Sequence, residues 1–246
     1  MAGNPINAID PNGAAAYYLA DGTYLFDIGD EDAVYYWQVD DADPNNAAGM
    51  GGTGSFTKVG DLSIQQFNDL AGTLYAEGDQ TDFSAFEAAG IYSVLENRAG
   101  AINEFNQTKG NSQSVTPYDV ASTPAEHVNG WSERDKINDR LANPNKIKAS
   151  RAGLIIGVTS EKDYSNGAYF WHGRDLGEVG SGAYNDFYLT GLNFTNSTHD
   201  IHNLGSNEAT GKAFKYTYET TGAYGRTTFM RLTDEWIKAT KYPKRY

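Results

Sequence analysis

Residues 70–98, LAGTLYAEGDQTDFSAFEAAGIYSVLENR, read as the end of one amphipathic helix, a short acidic loop and a second amphipathic helix. Apolar residues recur at Ile64, Phe67, Leu70, Ala71 and Leu74, the three-and-four spacing of a buried helical face. Ser63 and Gln66 form a capping box at its start, with Leu62 and Phe67 placed as a hydrophobic staple. The second helix opens on another capping box, Ser84 with Glu87, and is expected to bury Ala88, Ile91, Tyr92 and Leu95. Two anchored helices thus hold a carboxylate, Glu77, at the point where the chain enters the loop. Leu74 and Tyr75 precede it, and a carboxyl held against apolar and aromatic walls keeps its proton toward neutral pH. Glu77 is therefore a candidate acid–base group.

The chain of 246 residues is long enough for one sizeable domain with an appendage, or for two small ones. Seventeen Tyr, 11 Phe and 4 Trp with 27 Gly indicate a turn-rich globular protein with an aromatic groove rather than a disordered chain. No apolar run approaches the length of a membrane span. The N-terminus has neither a basic segment nor an apolar one, so delivery by something else is expected if the protein acts outside the cell. The absence of cysteine excludes disulfides, thiolate metal sites and a Cys nucleophile. A net charge of −13 argues against general nucleic-acid binding and makes any attack on an anionic polymer depend on a local groove and on salt.

The chain divides on composition into residues 1–41, 42–60 and 61–246. In the first part, AAAYYLADG, TYLFDIG and AVYYWQVDD are aromatic runs separated by turns, a small β-meander or hairpin. Residues 42–60 begin with the Gly- and Asn-rich ADPNNAAGMGGTGS, a linker or a long surface loop. From Asp61 to about Ser160 the pattern is helical. Thr123-Pro124 with Glu126 marks one start, Ser132 opens a helix ending near Pro144, and Ile147–Val158 is a further apolar helix. Gly110–Ser122 lacks periodicity and reads as a loop. From about Tyr164 the runs are short, aromatic and broken by Gly, with KAFKYTYET alternating as a half-buried strand. Thr233 caps a C-terminal helix whose charges suit its dipole.

Four of these segments resemble a family. LAGTLYAEGDQ, FEAAGIYSVLENRA, NGAYFWHG and TTGAYGRTTFMRL follow, in order, the pattern of the SleB-like cell-wall hydrolases of the spore-cortex-lytic type. That pattern runs L-A-x-x-x-Y-x-E-A-R-G-E, then V-L-N-R, then G-A-x-Y-F/Y, then I-G-N-H-x-F, and the similarity spans about residues 62–232. The resemblance implies an α+β architecture: a lysozyme-like, mostly helical lobe, a smaller β-rich lobe completing the groove, and the β segment ahead of both. It implies cleavage of the peptidoglycan glycan strand, typically as a lytic transglycosylase, with no cofactor. Glu77 takes the place of the catalytic glutamate and Asn97-Arg98 that of the N-R pair. Tyr169 and Phe170 belong to the groove-lining segment, and Trp171 and Tyr92 join them as candidates for stacking on sugar rings. Arg226 and Thr227 stand where the family has N-H. Its second acidic position falls on Thr81, leaving Asp79 and Asp82 as stand-ins.

One carboxyl suffices for the transglycosylase route. It protonates the glycosidic oxygen, then takes the proton of the muramyl 6-hydroxyl as the anhydro ring closes. A muramidase would need two carboxyls, about 5–5.5 Å apart if retaining and about 6.5–9.5 Å if inverting. Asp79 or Asp82 would be the second.

A further resemblance concerns NPINAIDPNG, in which Asn4, Pro5, Asn7, Asp10, Pro11 and Gly13 match the N-P-x-N-x-x-D-P-x-G that closes the core of Rhs/YD-repeat polymorphic toxins. It implies an antibacterial effector delivered by a larger carrier to the cell wall of a target cell, with a cognate immunity protein as a further partner. Such toxins are often nucleases. His199, Asp200 and His202, with His172 and Asp175, are the residues that would bind a divalent metal in that alternative. A non-catalytic glycan-binding module with an aromatic surface is the third class, and it would not need Glu77.

Overall fold

A computed structural model describes residues 15–29, 31–39, 54–79, 81–122, 137 and 142–241. The chain is mixed α+β, with two small sheets and a group of helices. Among the described residues no helix is long and apolar enough to cross a membrane.

The helices that the opening stretch announces are α1, Ile64–Glu77, and α2, Ala85–Thr108. Ser63 caps α1 with the full reciprocal box: its side chain accepts from the Gln66 N–H while the Gln66 side chain accepts from the Ser63 N–H. Ile64, Phe67, Leu70, Ala71 and Leu74 are all buried, as are Ala88, Ile91, Tyr92 and Leu95 of α2. Replacing the cap, Ser63→Ala, is expected to destabilise the fold by about 1 kcal/mol, read from chemical denaturation; no change would mean that the N–H groups it serves find water equally well.

Pro144 starts the helix expected over Ile147–Val158. It occupies the first turn of α4, Pro144–Thr159, behind the cap Asn143. α4 packs on α2 through small residues: a Cβ on Gly153 would meet Ala88 at 2.3 Å and the Ala85 carbonyl at 2.5 Å, so the two backbones touch only because Gly153 has none. Residues 110–122 are not all loop, because Pro117–Ser122 form a short helix, α3. Thr116 and Asp119 cap it reciprocally, each side chain accepting the other's N–H. The Tyr118 hydroxyl then donates to Asp69 on α1 at 3.1 Å.

The N-terminal sheet contains β1 (Ala15–Leu19), β2 (Tyr24–Ile28), β3 (Val34–Val39) and β4 (Gly54–Lys58), in the order β2-β1-β3-β4. It is not a meander, since β1 and β3 run parallel while the outer pairs are antiparallel. Residues 54–58, expected within a linker, are the edge strand β4. Nor is the sheet a separate unit. Ala16, Tyr18, Val34 and Val59 share one core with α1, α2 and α4, and the rings of Tyr18 and Phe67 lie 5.1 Å apart. The NPINAIDPNG segment, the Gly- and Asn-rich 42–53, and the helix starts expected at Thr123 and Ser132 lie outside the described residues.

The second sheet has the order β5-β8-β7-β6: β5 (Phe170–His172), β6 (Leu192–Asn193), β7 (Tyr218–Tyr224) and β8 (Thr227–Leu232). The strand expected over KAFKYTYET begins later, at Tyr218. Side chains alternate across this sheet, as strand geometry requires. Trp171 and Phe229 face the helical core, whereas Phe170, Met230 and Leu232 face a smaller core closed by Leu176 and Leu192. Thr233 caps the C-terminal α5, Asp234–Thr240, accepting from the Trp236 N–H.

Candidate active site

Glu77 is the last residue of α1, which ends because Gly78 turns to an extended conformation while its N–H still bonds the Leu74 carbonyl. The Glu77 side chain is half-buried. The indole N–H of Trp171, on β5, donates to Glu77 Oε2 at 3.1 Å. The two residues are 94 positions apart, so their meeting depends on whatever holds β5 against the helices.

Asn97 and Arg98, on α2, do that. The Asn97 side-chain amide donates to Asp163 Oδ2 (3.1 Å), Ser165 Oγ (3.1 Å) and the Ala168 carbonyl (3.0 Å), gathering the turn that leads into β5. Arg98 Nε donates to the Tyr169 carbonyl at 2.7 Å. Its guanidinium stacks 4.9 Å from the Trp171 ring and 5.7 Å from the Phe170 ring, a cation–π contact that a buried arginine strengthens. The pair is structural in effect: it places Trp171 beside Glu77.

The two stand-in carboxylates are differently employed. Asp79 Oδ1 accepts from the Thr81 N–H (2.7 Å), the Thr81 hydroxyl (2.6 Å) and the Asp82 N–H (3.0 Å), so it caps the turn after α1. Burial pushes the Asp79 carboxyl up, but these hydrogen bonds, with Arg226 nearby, outweigh it and hold it below the usual carboxylate range. Asp82 is exposed, with the Arg226 guanidinium 3.9 Å away. Neither is offered a partner role with Glu77 by a direct contact.

Among the expected sugar-stacking aromatics, Trp171 hydrogen-bonds Glu77. Tyr92 is 5% exposed and lies against Gly157 of α4 in the main core. Phe170 is 6% exposed and packs on Phe187 and Tyr218 in the smaller core, and half-buried Tyr169 packs on that core too. Trp171, whose indole N–H reaches Glu77, is itself 6% exposed and packed in the main core, so Tyr92, Phe170 and Trp171 alike present no ring face to a sugar, a correction forced by helix and strand faces that composition does not reveal.

The HDIH segment is split among separate tasks. His199 Nδ1 lies 3.0 Å from the Thr220 hydroxyl. Asp200 accepts from the N–H groups of Leu204 and Gly205, closing its own loop. Burial pushes the His202 imidazole down, and His172 sits 3.6 Å from Asp175. Among the described residues, no three His, Asp or Glu side chains stand where they could hold a metal together.

Two residues at the site were given no part in it by the sequence, where Glu87 figured only as a capping-box acid. Glu87 is fully buried. Its Oε1 accepts from the Thr227 hydroxyl at 2.6 Å and from the Asp79 N–H at 3.1 Å. Only half of the expected capping box therefore forms: Ser84 accepts the Glu87 N–H, but the Glu87 carboxyl turns inward. The other is Lys146, 3% exposed, whose ammonium donates to the Gly78 carbonyl at 2.8 Å and lies over the rings of Tyr75 (4.7 Å) and Phe83 (5.3 Å). A lysine in the first turn of α4 opposes the helix dipole, and that local inconsistency was its legible signal.

Burial pushes Glu87 up and Lys146 down to about 8, the Glu87 and Asp79 charges only partly restoring the latter. Between about pH 8 and the ordinary lysine value of 10.5, the unfolded chain holds a proton at Lys146 that the folded chain has lost, so this group makes stability rise with pH there. The stability difference between wild type and Lys146→Met is expected to shift in favour of wild type from pH 7.5 to pH 10, measured by denaturant unfolding. A difference that stays flat would contradict the depressed lysine.

No family model matches the chain, and neither a curated protein nor a solved structure matches it.

Proposed function

We propose that the protein cleaves the glycan strand of peptidoglycan, with Glu77 as its acid–base residue, by the lytic transglycosylase route. The observation that carries this reading is the Glu77–Trp171 hydrogen bond. All four segments that resemble the SleB-like family gather here: α1 supplies Glu77, α2 supplies Asn97 and Arg98, β5 supplies Trp171, and at the start of β8 Thr227 donates to Glu87 of α2 while Arg226 lies 3.9 Å from Asp82 in the loop after α1. A helical lobe meeting a small β-sheet at a glutamate is also what a lysozyme-like fold would supply.

The route needs one carboxyl to serve first as acid and then as base. The commitment of Asp79 to its turn and the exposure of Asp82 favour that route over a two-carboxylate muramidase. In this reading the protein is an effector acting at the cell wall of a target cell, brought there by a carrier and neutralised in the producer by an immunity protein. Purified protein is expected to clear a suspension of sacculi, and to do so equally in EDTA. Loss of clearance in EDTA, or degradation of added DNA, would transfer the reading to the metal-dependent nuclease class.

A further inference from the structure

The two backbone groups that follow Glu77 are each held by a buried charged side chain from a different helix. Lys146 on α4 donates to the Gly78 carbonyl at 2.8 Å, and Glu87 on α2 accepts the Asp79 N–H at 3.1 Å. The grip is tight on every side. Phe83 lies so close to Gly78 that a Cβ there would meet its ring at 1.8 Å. Glu87 Oε1 is also fixed by Thr227 on β8, and its Oε2 is buried without a hydrogen-bond partner.

That oxygen sits against Gly225, where a Cβ would stand 2.4 Å from it, and Gly225 has φ +56, a conformation natural to glycine. Burying a carboxyl with an unmatched oxygen and an ammonium nearby costs stability. Methionine or leucine would fill the same volumes more cheaply, so the charges serve geometry rather than cohesion.

We propose that Glu87 and Lys146 are positioning residues that clamp the end of α1, fixing where the Glu77 carboxylate stands relative to Trp171. Neither reaches the substrate. They act on Glu77 through the Gly78 and Asp79 peptide groups, and they tie α2, α4 and the β7–β8 turn to that one point. The consequence for catalysis rests on the proposed glycan cleavage, but the geometric effect does not.

Two readouts separate them. The first is the Trp171 indole N–H resonance in a two-dimensional NMR spectrum of the full chain, assigned by its disappearance in Trp171→Phe. In Glu87→Val and in Lys146→Met the resonance is expected to move toward its position in Glu77→Ala, while the other indole signals stay in place. In Glu87→Gln, which keeps an oxygen for the Asp79 N–H, it is expected to stay near the wild-type position.

The second readout is the kinetics of soluble peptidoglycan fragments. Glu87→Val and Lys146→Met are expected to lower kcat by about tenfold to a hundredfold with KM little changed, the scale of loss that a misplaced reacting group produces, and Glu87→Gln is expected to recover most of it. Because the two variants lie on different helices, failure of one to fold leaves the other to decide. Wild-type indole position and kcat in a folded Glu87→Val or Lys146→Met would overturn the clamp even with Glu77 proven essential. A wild-type protein inert on peptidoglycan would sink the proposed function while the indole resonance still decides the clamp.

Discussion

Glu77→Gln is expected to reduce sacculus digestion by about 10²–10⁴-fold, the range spanned by general acid–base catalysis, while the protein remains folded. The substitution removes the ionisable proton while keeping the length and shape of the side chain. A glutamine in the same rotamer can still accept the Trp171 indole N–H through its amide oxygen, so the contact that joins α1 to β5 survives. Asp79 cannot take over, because its Oδ1 already accepts three hydrogen bonds within its own turn. Clearance of a sacculus suspension by equal amounts of the two proteins, with thermal unfolding recorded alongside, measures both halves of the expectation. Full activity in a folded Glu77→Gln would remove Glu77 from the chemistry.

The largest effect on stability is expected from Phe229→Ala. Phe229 is fully buried and pairs with Trp171 across the β5–β8 ladder. Its ring presses on Gly90 of α2, where a Cβ would stand 2.6 Å away, and meets Tyr224 edge-on at 6.0 Å. It is thus the wedge between the second sheet and the helical core. Truncation removes the transfer free energy of the ring and leaves a cavity between two elements that Asn97 and Arg98 still hold together, so collapse is limited. A loss of about 3–5 kcal/mol is expected, a melting-temperature drop on the order of 10 °C for a chain of this size. Scanning calorimetry checks it. A loss below about 1 kcal/mol, the level of an ordinary surface change, would mean that the sheet and the helices are not one cooperative core.

What could be read from sequence, and what could not, divides along a physical line. α1, α2, α5 and their caps are local: Ser63, Ser84 and Thr233 each act within three residues, so spacing alone reveals them. The start of α3 is equally local, in Thr116-Pro117 followed by Asp119, but a helix of only six residues is too short to show a periodic apolar face. The parallel pairing of β1 with β3 depends on partners that local patterning does not specify, and a meander was the simpler reading of three aromatic runs.

At the site, Glu77 was legible because a helix end and an ordered set of motifs marked it. The inward turn of Glu87 was not, because the local capping pattern is overridden by Thr227, 140 residues away. Tyr92, Phe170 and Trp171 are alike in sequence as aromatic residues near the motifs. Which one reaches Glu77 is decided by strand alternation and by Arg98, not by residue type.

The sharpest test is chemical. Mass spectra of the muropeptides released from sacculi by the wild-type protein report how the glycosidic bond was broken. Anhydro-muramyl ends are expected, because one carboxylate at Glu77 delivers a proton and takes one back without water. Reducing ends would require a second group activating water and would contradict the single-carboxylate route, and the absence of released muropeptides would contradict glycan cleavage itself.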